Sequence, residues 1–202
     1  MRYSIPMKLL AAGSALALGG CMTMEGDMND DMATATSTTT VAYPTVGGAK
    51  MYPTYNIVQN AQNSPIHTTL VKAVVAADLA ATLSSAGPFT VFAPTDEAFG
   101  RMPAATLNTL LMPANKAALQ KVLTYHVVPG RVTAADLVAK IKAGGGTTTI
   151  TTVQGGTLTA SMVGGDVKLA GQNGSLGYVK QADVMQSNGI IHVVNGVLLP
   201  SM

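Results

Sequence analysis

Gly87-Pro88-Phe89-Thr90-Val91-Phe92-Ala93-Pro94-Thr95-Asp96-Glu97-Ala98-Phe99 compresses a turn, a strand and a helix start into thirteen residues. Gly87-Pro88 punctuates the chain. The uncharged β-branched and aromatic run Phe89 to Ala93 predicts a strand with little exposed surface, and Pro94 ends it. Thr95 or Asp96 can accept the first free backbone N–H groups of a short helix. Asp96 and Glu97 place negative charge at the positive end of its dipole.

Two further stretches share this density of signal. Gly189-Ile190-Ile191-His192-Val193-Val194-Asn195-Gly196-Val197-Leu198-Leu199-Pro200 is a second apolar, β-branched run. Its Asn195-Gly196 pair reads as a tight turn, because both residues accept positive φ. Leu123-Thr124-Tyr125-His126-Val127-Val128-Pro129-Gly130 lies between the two. Around these runs the first half is helical in period. Ser64-Pro65 predicts a helix start, with Leu70, Val71, Val74, Val75 and Leu79 at helical spacing. A second helix is expected over Ala114 to Thr124, with Leu119, Val122 and Leu123 as its stripe and a turn around Leu107 to Leu111 before Pro113. Later the period changes to two. Leu158, Ala160 and Met162 alternate with polar residues, as do Val167 and Leu169, and Thr147 to Val153 is rich in β-branched residues. Helices first and strands afterwards argue for an α+β fold.

The opening stretch resembles the first signature of the fasciclin (FAS1) family, residues 189–200 resemble its second, and residues 123–130 resemble its Tyr-His segment. Three matches in order make the resemblance specific, and it covers Met51 to Pro200. It implies a β-sandwich wedge of about seven strands with the helices packed along one edge, and a non-enzymatic adhesive or interaction role. In animal members the Tyr-His segment has been linked to integrin contact. The segment matching Gln181-Ala182-Asp183-Val184-Met185 there carries an acidic residue, Pro, Asp, Ile and Met. Asp183 and Met185 match, Val184 replaces the Ile, and Gln181 and Ala182 replace the acidic residue and Pro. The candidate contact residues are therefore Asp183, Val184, Met185, Tyr125 and His126. Helical spacing puts His126 on the face of Leu119, Val122 and Leu123, which favours a buried imidazole bonded to backbone. Tyr125 has an apolar ring whose hydroxyl needs a partner if buried. Thr95, Asp96, Asn195 and Gly196 read as structural signature positions, the first two as caps.

The N-terminus carries Arg2 and Lys8, then an uncharged run from Leu9 to Gly20 that is too short to span a bilayer. This predicts an export signal over residues 1–20. Leu18-Gly19-Gly20-Cys21 resembles the lipobox of bacterial lipoproteins, with cleavage between Gly20 and Cys21 and lipid on the Cys21 thiol. Cys21 is the only cysteine, so no disulfide forms within the chain. Two acyl chains anchor a protein stably without a spanning helix. Residues 21–50, poor in aliphatic periodicity, are expected to be a disordered tether, and residues 51–202 the domain. Met22 after the cysteine resembles lipoproteins sorted to the outer membrane. The expected location is the cell envelope, lipid-anchored at the outer membrane, with a periplasmic or secreted form after cleavage as the alternative.

The whole-chain surplus of positive charge is a targeting feature. Without Arg2 and Lys8, ten of the twelve basic residues face ten acidic ones. That balance, with no interleaved aromatics, argues against nucleic acid as a partner. His67, His126 and His192 are far apart in sequence, so no metal is expected. No G-x-S-x-G elbow, phosphate loop or dinucleotide fingerprint is present, and no cofactor is expected. Asp27 to Asp31 begins like a calcium loop but has Met32 and Thr38 where Gly and Glu are needed. Met22, Met24, Met28 and Met32 have the thioethers that suit Cu(I), although an ordinary methionine-containing tether explains them. The partner expected is a protein or glycan at the cell surface or in the envelope. The alternative function is an envelope module for a small apolar ligand or a membrane-protein partner, without an adhesive role.

Overall fold

The computed structural model describes residues 43–201. The export signal, Gly20 and Cys21, the methionines and acids of the tether, and most of the tether itself lie outside the described residues. In chain order the first elements are β1 (Thr45–Val46), β2 (Ala49–Lys50), α1 (Ile57–Asn63), α2 (Thr68–Ala76), α3 (Ala80–Ser84), β3 (Phe89–Pro94), α4 (Asp96–Gly100) and α5 (Ala104–Leu111). A 3₁₀ turn at Pro113–Asn115 leads into α6 (Lys116–Tyr125), β4 (Val127–Pro129), α7 (Ala134–Ala143), β5 (Thr147–Thr151), β6 (Thr157–Val163), β7 (Asp166–Ala170), β8 (Leu176–Gln186) and β9 (Gly189–Val194).

The two apolar runs separated by about a hundred residues of sequence lie side by side. β3 and β9 pair in parallel over all six positions, Phe89 opposite Gly189 and Pro94 opposite Val194. They sit inside a seven-stranded sheet of order β4-β3-β9-β8-β7-β6-β5, in which every other pairing is antiparallel. The sheet curls until its edges nearly meet, and the Val153 N–H donates to the Val127 carbonyl at 2.7 Å. This is the seven-stranded α+β fold that the resemblance implies, with the expected sandwich wedge curled into a near-barrel.

Both faces of the central strands are buried, which is why their sequences are continuously apolar. Val91 and Ala93 of β3, with Ile191 and Val193 of β9, face a core built with Leu70, Val74, Phe99, Leu119 and Leu123 of the helices. Phe92 and Val194 face the opposite way, into a second core with Tyr125, Leu158, Leu169 and Leu198. α7 packs on β5 and β6 and closes that core with Leu137 and Ile141. Full burial of each such side chain contributes about 1.5–3 kcal/mol.

Several local expectations change. Ser64 ends a helix instead of starting one. α1 precedes it, held by a reciprocal cap in which Asn56 Oδ1 accepts from the Gln59 N–H and Gln59 Oε1 accepts from the Asn56 N–H. α2 starts at Thr68. The expected turn at 107–111 is the end of α5, and the expected second helix starts two residues later, at Lys116, and ends one residue later, at Tyr125. The tether boundary at 50 also moves. Gly47 and Gly48 take φ of +60° and +86° to turn β1 into β2, and Val46, only 2% exposed, enters the helical-side core. The folded body therefore includes residues 45–50.

Candidate functional site

Tyr125 and His126 close α6, and neither reaches solvent. The Tyr125 ring is fully buried, and its hydroxyl donates to the Thr157 carbonyl at 2.6 Å while accepting from the Gln172 N–H at 3.0 Å. Burial pushes the phenol pKa up, partly offset by the Gln172 N–H. His126 is 2% exposed. Its Nδ1–H donates to the Val122 carbonyl at 2.8 Å and its Nε2 accepts from the Leu198 N–H at 2.9 Å. The imidazole thus ties the C-terminal segment to α6. Tyr125 and His126 are corrected from contact candidates to core residues, because a partner cannot touch side chains without exposed surface. Tyr125→Phe keeps the ring and strands two bonding groups. It should lower stability by about 1–3 kcal/mol in urea denaturation.

Asp183, Val184 and Met185 lie within β8, at a bulge between Gln181 and Val184 in the pairing with β9. Asp183 adopts φ of +57°, a conformation that Asp tolerates better than most residues. Its Oδ1 accepts from the Ala134 N–H at 2.8 Å, in the first turn of α7. Its own N–H donates to His192 Nδ1 at 3.3 Å, and His192 Nε2–H donates to the Val132 carbonyl at 2.8 Å. A carboxylate, a bulge and an imidazole thereby hold α7 against the sheet. Val184 is 1% exposed and belongs to the helical-side core, so it too is corrected from contact to packing. Asp183 and Met185 keep partial exposure. Asp183→Ala removes the helix-terminal acceptor and puts a less tolerant residue at positive φ. A loss of about 2 kcal/mol is expected, and Asp183→Asn should lose clearly less.

The remaining signature positions are structural. Thr95 Oγ1 accepts from the Ala98 N–H at 3.2 Å and caps α4. Asp96 serves another helix. Its carboxylate accepts from the Thr68 and Thr69 N–H groups at 3.2 and 2.7 Å, and from the Thr68 hydroxyl at 2.8 Å. Burial alone would raise its pKa, but the Thr69 and Thr68 hydrogen bonds outweigh it and hold the carboxyl low. Asn195-Gly196 does not make the expected hairpin turn. Neither residue has positive φ, and Asn195 extends the pairing with β8 through its N–H to the Tyr178 carbonyl and its Oδ1 from the Tyr178 N–H. At Gly196 a Cβ would stand 2.0 Å from the Leu176 carbonyl oxygen, so close approach is what excludes a side chain there.

His67 is buried as well, with Nδ1 2.7 Å from the Ser64 hydroxyl. Among the described residues no group of three His, Cys, Asp or Glu side chains is placed to hold a metal. Of the concavities among the described residues, two bear on ligand binding. An apolar crevice between α1, α2 and the sheet, lined by Ile57, Val58, Leu70, Val71, Val74 and Leu123, encloses only about 30 Å³. An open cleft of about 380 Å³ lies between Ala86-Gly87-Pro88, Arg131 and Ser187-Asn188-Gly189. Beside it is a feature that sequence analysis missed. The rings of Tyr43, Tyr52 and Tyr55 form a chain with centroids 5.1 Å apart, and Tyr43 and Tyr55 are 37% and 41% exposed. The Tyr-Pro and Tyr-Pro-Thr-Tyr spacing at 43–44 and 52–55 was its only trace in the sequence.

Comparison with known proteins agrees with this architecture. The model of the fasciclin domain matches residues 65–200. Protein sll1483 of Synechocystis is 43% identical over 171 residues, spanning 85% of this chain and 88% of its own. Immunogenic protein MPB70 of Mycobacterium bovis is 34% identical over 145 residues, spanning 69% of this chain and 66% of its own. Among solved structures, a FAS1 domain pair from the insect cell adhesion molecule Fasciclin I superposes with a TM-score of 0.64 at 20% identity, over 72% of this chain and 51% of that one. The paired signature strands, the capped helices and these matches together make the chain a member of the fasciclin domain family, a family of non-enzymatic domains.

Proposed function

We propose that this chain is a non-enzymatic adhesion or interaction module of the cell envelope, held at the membrane by lipid on Cys21. One observation carries the reading. The polar side chains with chemical potential, His126, His192, Tyr125, Asp183 and Asp96, are bonded to backbone groups within the fold, which leaves its surface as the working part. The shared fold with a cell adhesion molecule supports the same reading. The partner is a protein or glycan at the cell surface, reached from an outer-membrane anchor. Asp183 and Met185 are the members of the sequence-derived contact set with surface to offer. Mass spectrometry of the mature N-terminus should find a diacylated Cys21. Cells displaying the chain should attach to partner cells or matrix more than cells lacking it. An unmodified thiol sinks the anchor, and unchanged attachment sinks the adhesive role.

The apolar crevice favours a second reading, a carrier of small apolar ligands. Its volume is far below the roughly 300–1,000 Å³ of ligand pockets, so binding would need the α1–α2 layer to part. Thermal shift against a lipid and metabolite panel should give no stabilisation. A shift of several degrees would favour the carrier.

A further inference from the structure

We propose that the Tyr43–Tyr52–Tyr55 cluster is a membrane-interface contact, which lays the anchored domain on an anionic bilayer in a fixed orientation. This rests on the lipid-anchored reading and adds to it the face that meets the membrane.

Three observations converge on this face. First, the cluster gathers three of the six tyrosines of a chain that has no tryptophan and three phenylalanines. Its two outer rings are exposed, at 37% for Tyr43 and 41% for Tyr55. Among the described residues no group hydrogen-bonds to the three phenol oxygens. An apolar ring with a wet tip is the chemistry that concentrates at the boundary between headgroups and acyl chains.

Second, the stretch of chain that carries the cluster is free of acidic residues. From Met32 to Ala77 there is no Asp or Glu, and Lys50 and Lys72 are the only charged side chains. Lys50 ends β2 opposite Thr45, and the Met51 N–H donates to the Pro44 carbonyl, so this exposed lysine belongs to the hairpin that presents Tyr43 and Tyr52. On the other flank the Ser187 N–H donates to the Tyr55 carbonyl at 2.9 Å. Ser187 lines the open cleft with Arg131, an exposed guanidinium without an ion pair among the described residues. Cations flanking exposed aromatics suit a surface of anionic headgroups, with the Arg131 fork offered to phosphate oxygens.

Third, covalent geometry brings this face to the membrane. The chain from Cys21 enters the body at Tyr43, and those 22 steps reach at most about 75 Å at full extension. A lipid on Cys21 therefore keeps the tyrosines at high effective concentration near the bilayer. A contact that holds a free domain only weakly suffices to orient an anchored one.

The absence of tryptophan makes a direct test possible. The full lipidated chain carrying Tyr55→Trp is reconstituted into phosphatidylethanolamine–phosphatidylglycerol vesicles that contain nitroxide-labelled lipid. Emission is compared with that of Leu176→Trp, a position that is 51% exposed. The proposal expects quenching of the residue 55 reporter by about twofold and little quenching at residue 176. It expects the effect to weaken in high salt and on Lys50→Gln/Arg131→Gln substitution. Tyr43→Trp gives a second reporter should the first perturb folding. Equal quenching at 55 and 176, or protection of residue 55 only when a soluble envelope protein is added, overturns the proposal. An unmodified Cys21 in cells overturns the anchor instead. The full chain with Cys21→Ser would still be expected to bind the same vesicles weakly and in a salt-dependent way, so the two failures are told apart.

Discussion

Lowering the pH from 7 to 4 is expected to remove about 3 kcal/mol of folding stability through His126 alone. Burial lowers its pKa from 6.5 to about 4, against a smaller opposing effect of the Val122 carbonyl. The unfolded chain takes up a proton near pH 6.5, whereas the folded chain resists until about pH 4. Stability is therefore full above pH 6.5, falls as pH drops through the interval, and levels off for this group below pH 4. His67 and His192 act in the same direction. Burial lowers both, offset in part at His67 by the Ala93 carbonyl and the Asp96 charge, and at His192 by the Val132 carbonyl and the Asp183 charge. Asp96 and Asp136 are held low, so their contributions vanish only below the ordinary carboxylate range. The histidine window is thus separable from the carboxylate window. Protonated His126 would also turn the acceptor of the Leu198 N–H into a second donor, so the C-terminal segment should loosen first. Urea melts at pH 7, 5.5 and 4.5 with hydrogen exchange at Leu198 measure this. A flat stability across that range, or a pH slope retained in His126→Gln, would refute it.

The sequence exposed the local half of this architecture. A β-branched and aromatic run between Pro88 and Pro94 fits a strand with little exposed surface, and the alternation at Leu158, Ala160, Val167 and Leu169 reads directly as half-buried strands. What stayed hidden is set by distant partners. Asp96 looks like the cap of its own helix but serves α2, since its position beside Thr68 depends on how β3 feeds α4 under that helix. Asp183 reads only as a contact candidate because a bulge with positive φ leaves no local signal, and its partner within the fold, Ala134, is 49 residues away. Asn195-Gly196 has the composition of a hairpin turn, yet pairing with Tyr178 overrides that propensity. The tyrosine cluster was lost because residues 43–50 carry too few aliphatic groups to reveal that Val46 is buried.

Those long-range dependencies meet at Gly189, where a single methyl group should have a large effect. Its φ lies outside the left-handed region, so the position does not need glycine for conformational freedom. It needs glycine because a Cβ would stand 2.0 Å from the Phe89 carbonyl oxygen, 2.9 Å from its carbon and 3.0 Å from its nitrogen. All three are backbone atoms of β3, which cannot retreat without breaking its bonds to β4 on the far side. The adjacent Asn188 adds to the cost. Its carbonyl accepts from the Phe89 N–H at 3.1 Å, its Oδ1 accepts from the Ile57 N–H at 3.0 Å, and its Nδ2 donates to the Leu83 and Ser85 carbonyls. Displacing this corner therefore disturbs the only parallel pairing of the described sheet and the attachments of α1 and α3 together. Gly189→Ala is expected to cost about 3 kcal/mol or more, at the severe end for overpacking. Gly164→Ala is the matched control. It sits at φ +59° in open space, so only backbone strain of about 1–2 kcal/mol applies. Equal losses for the two variants in urea denaturation would mean that β3 and β9 can separate without cost. The helical layer would then owe its position to its own packing and not to the strand pair that both family signatures build.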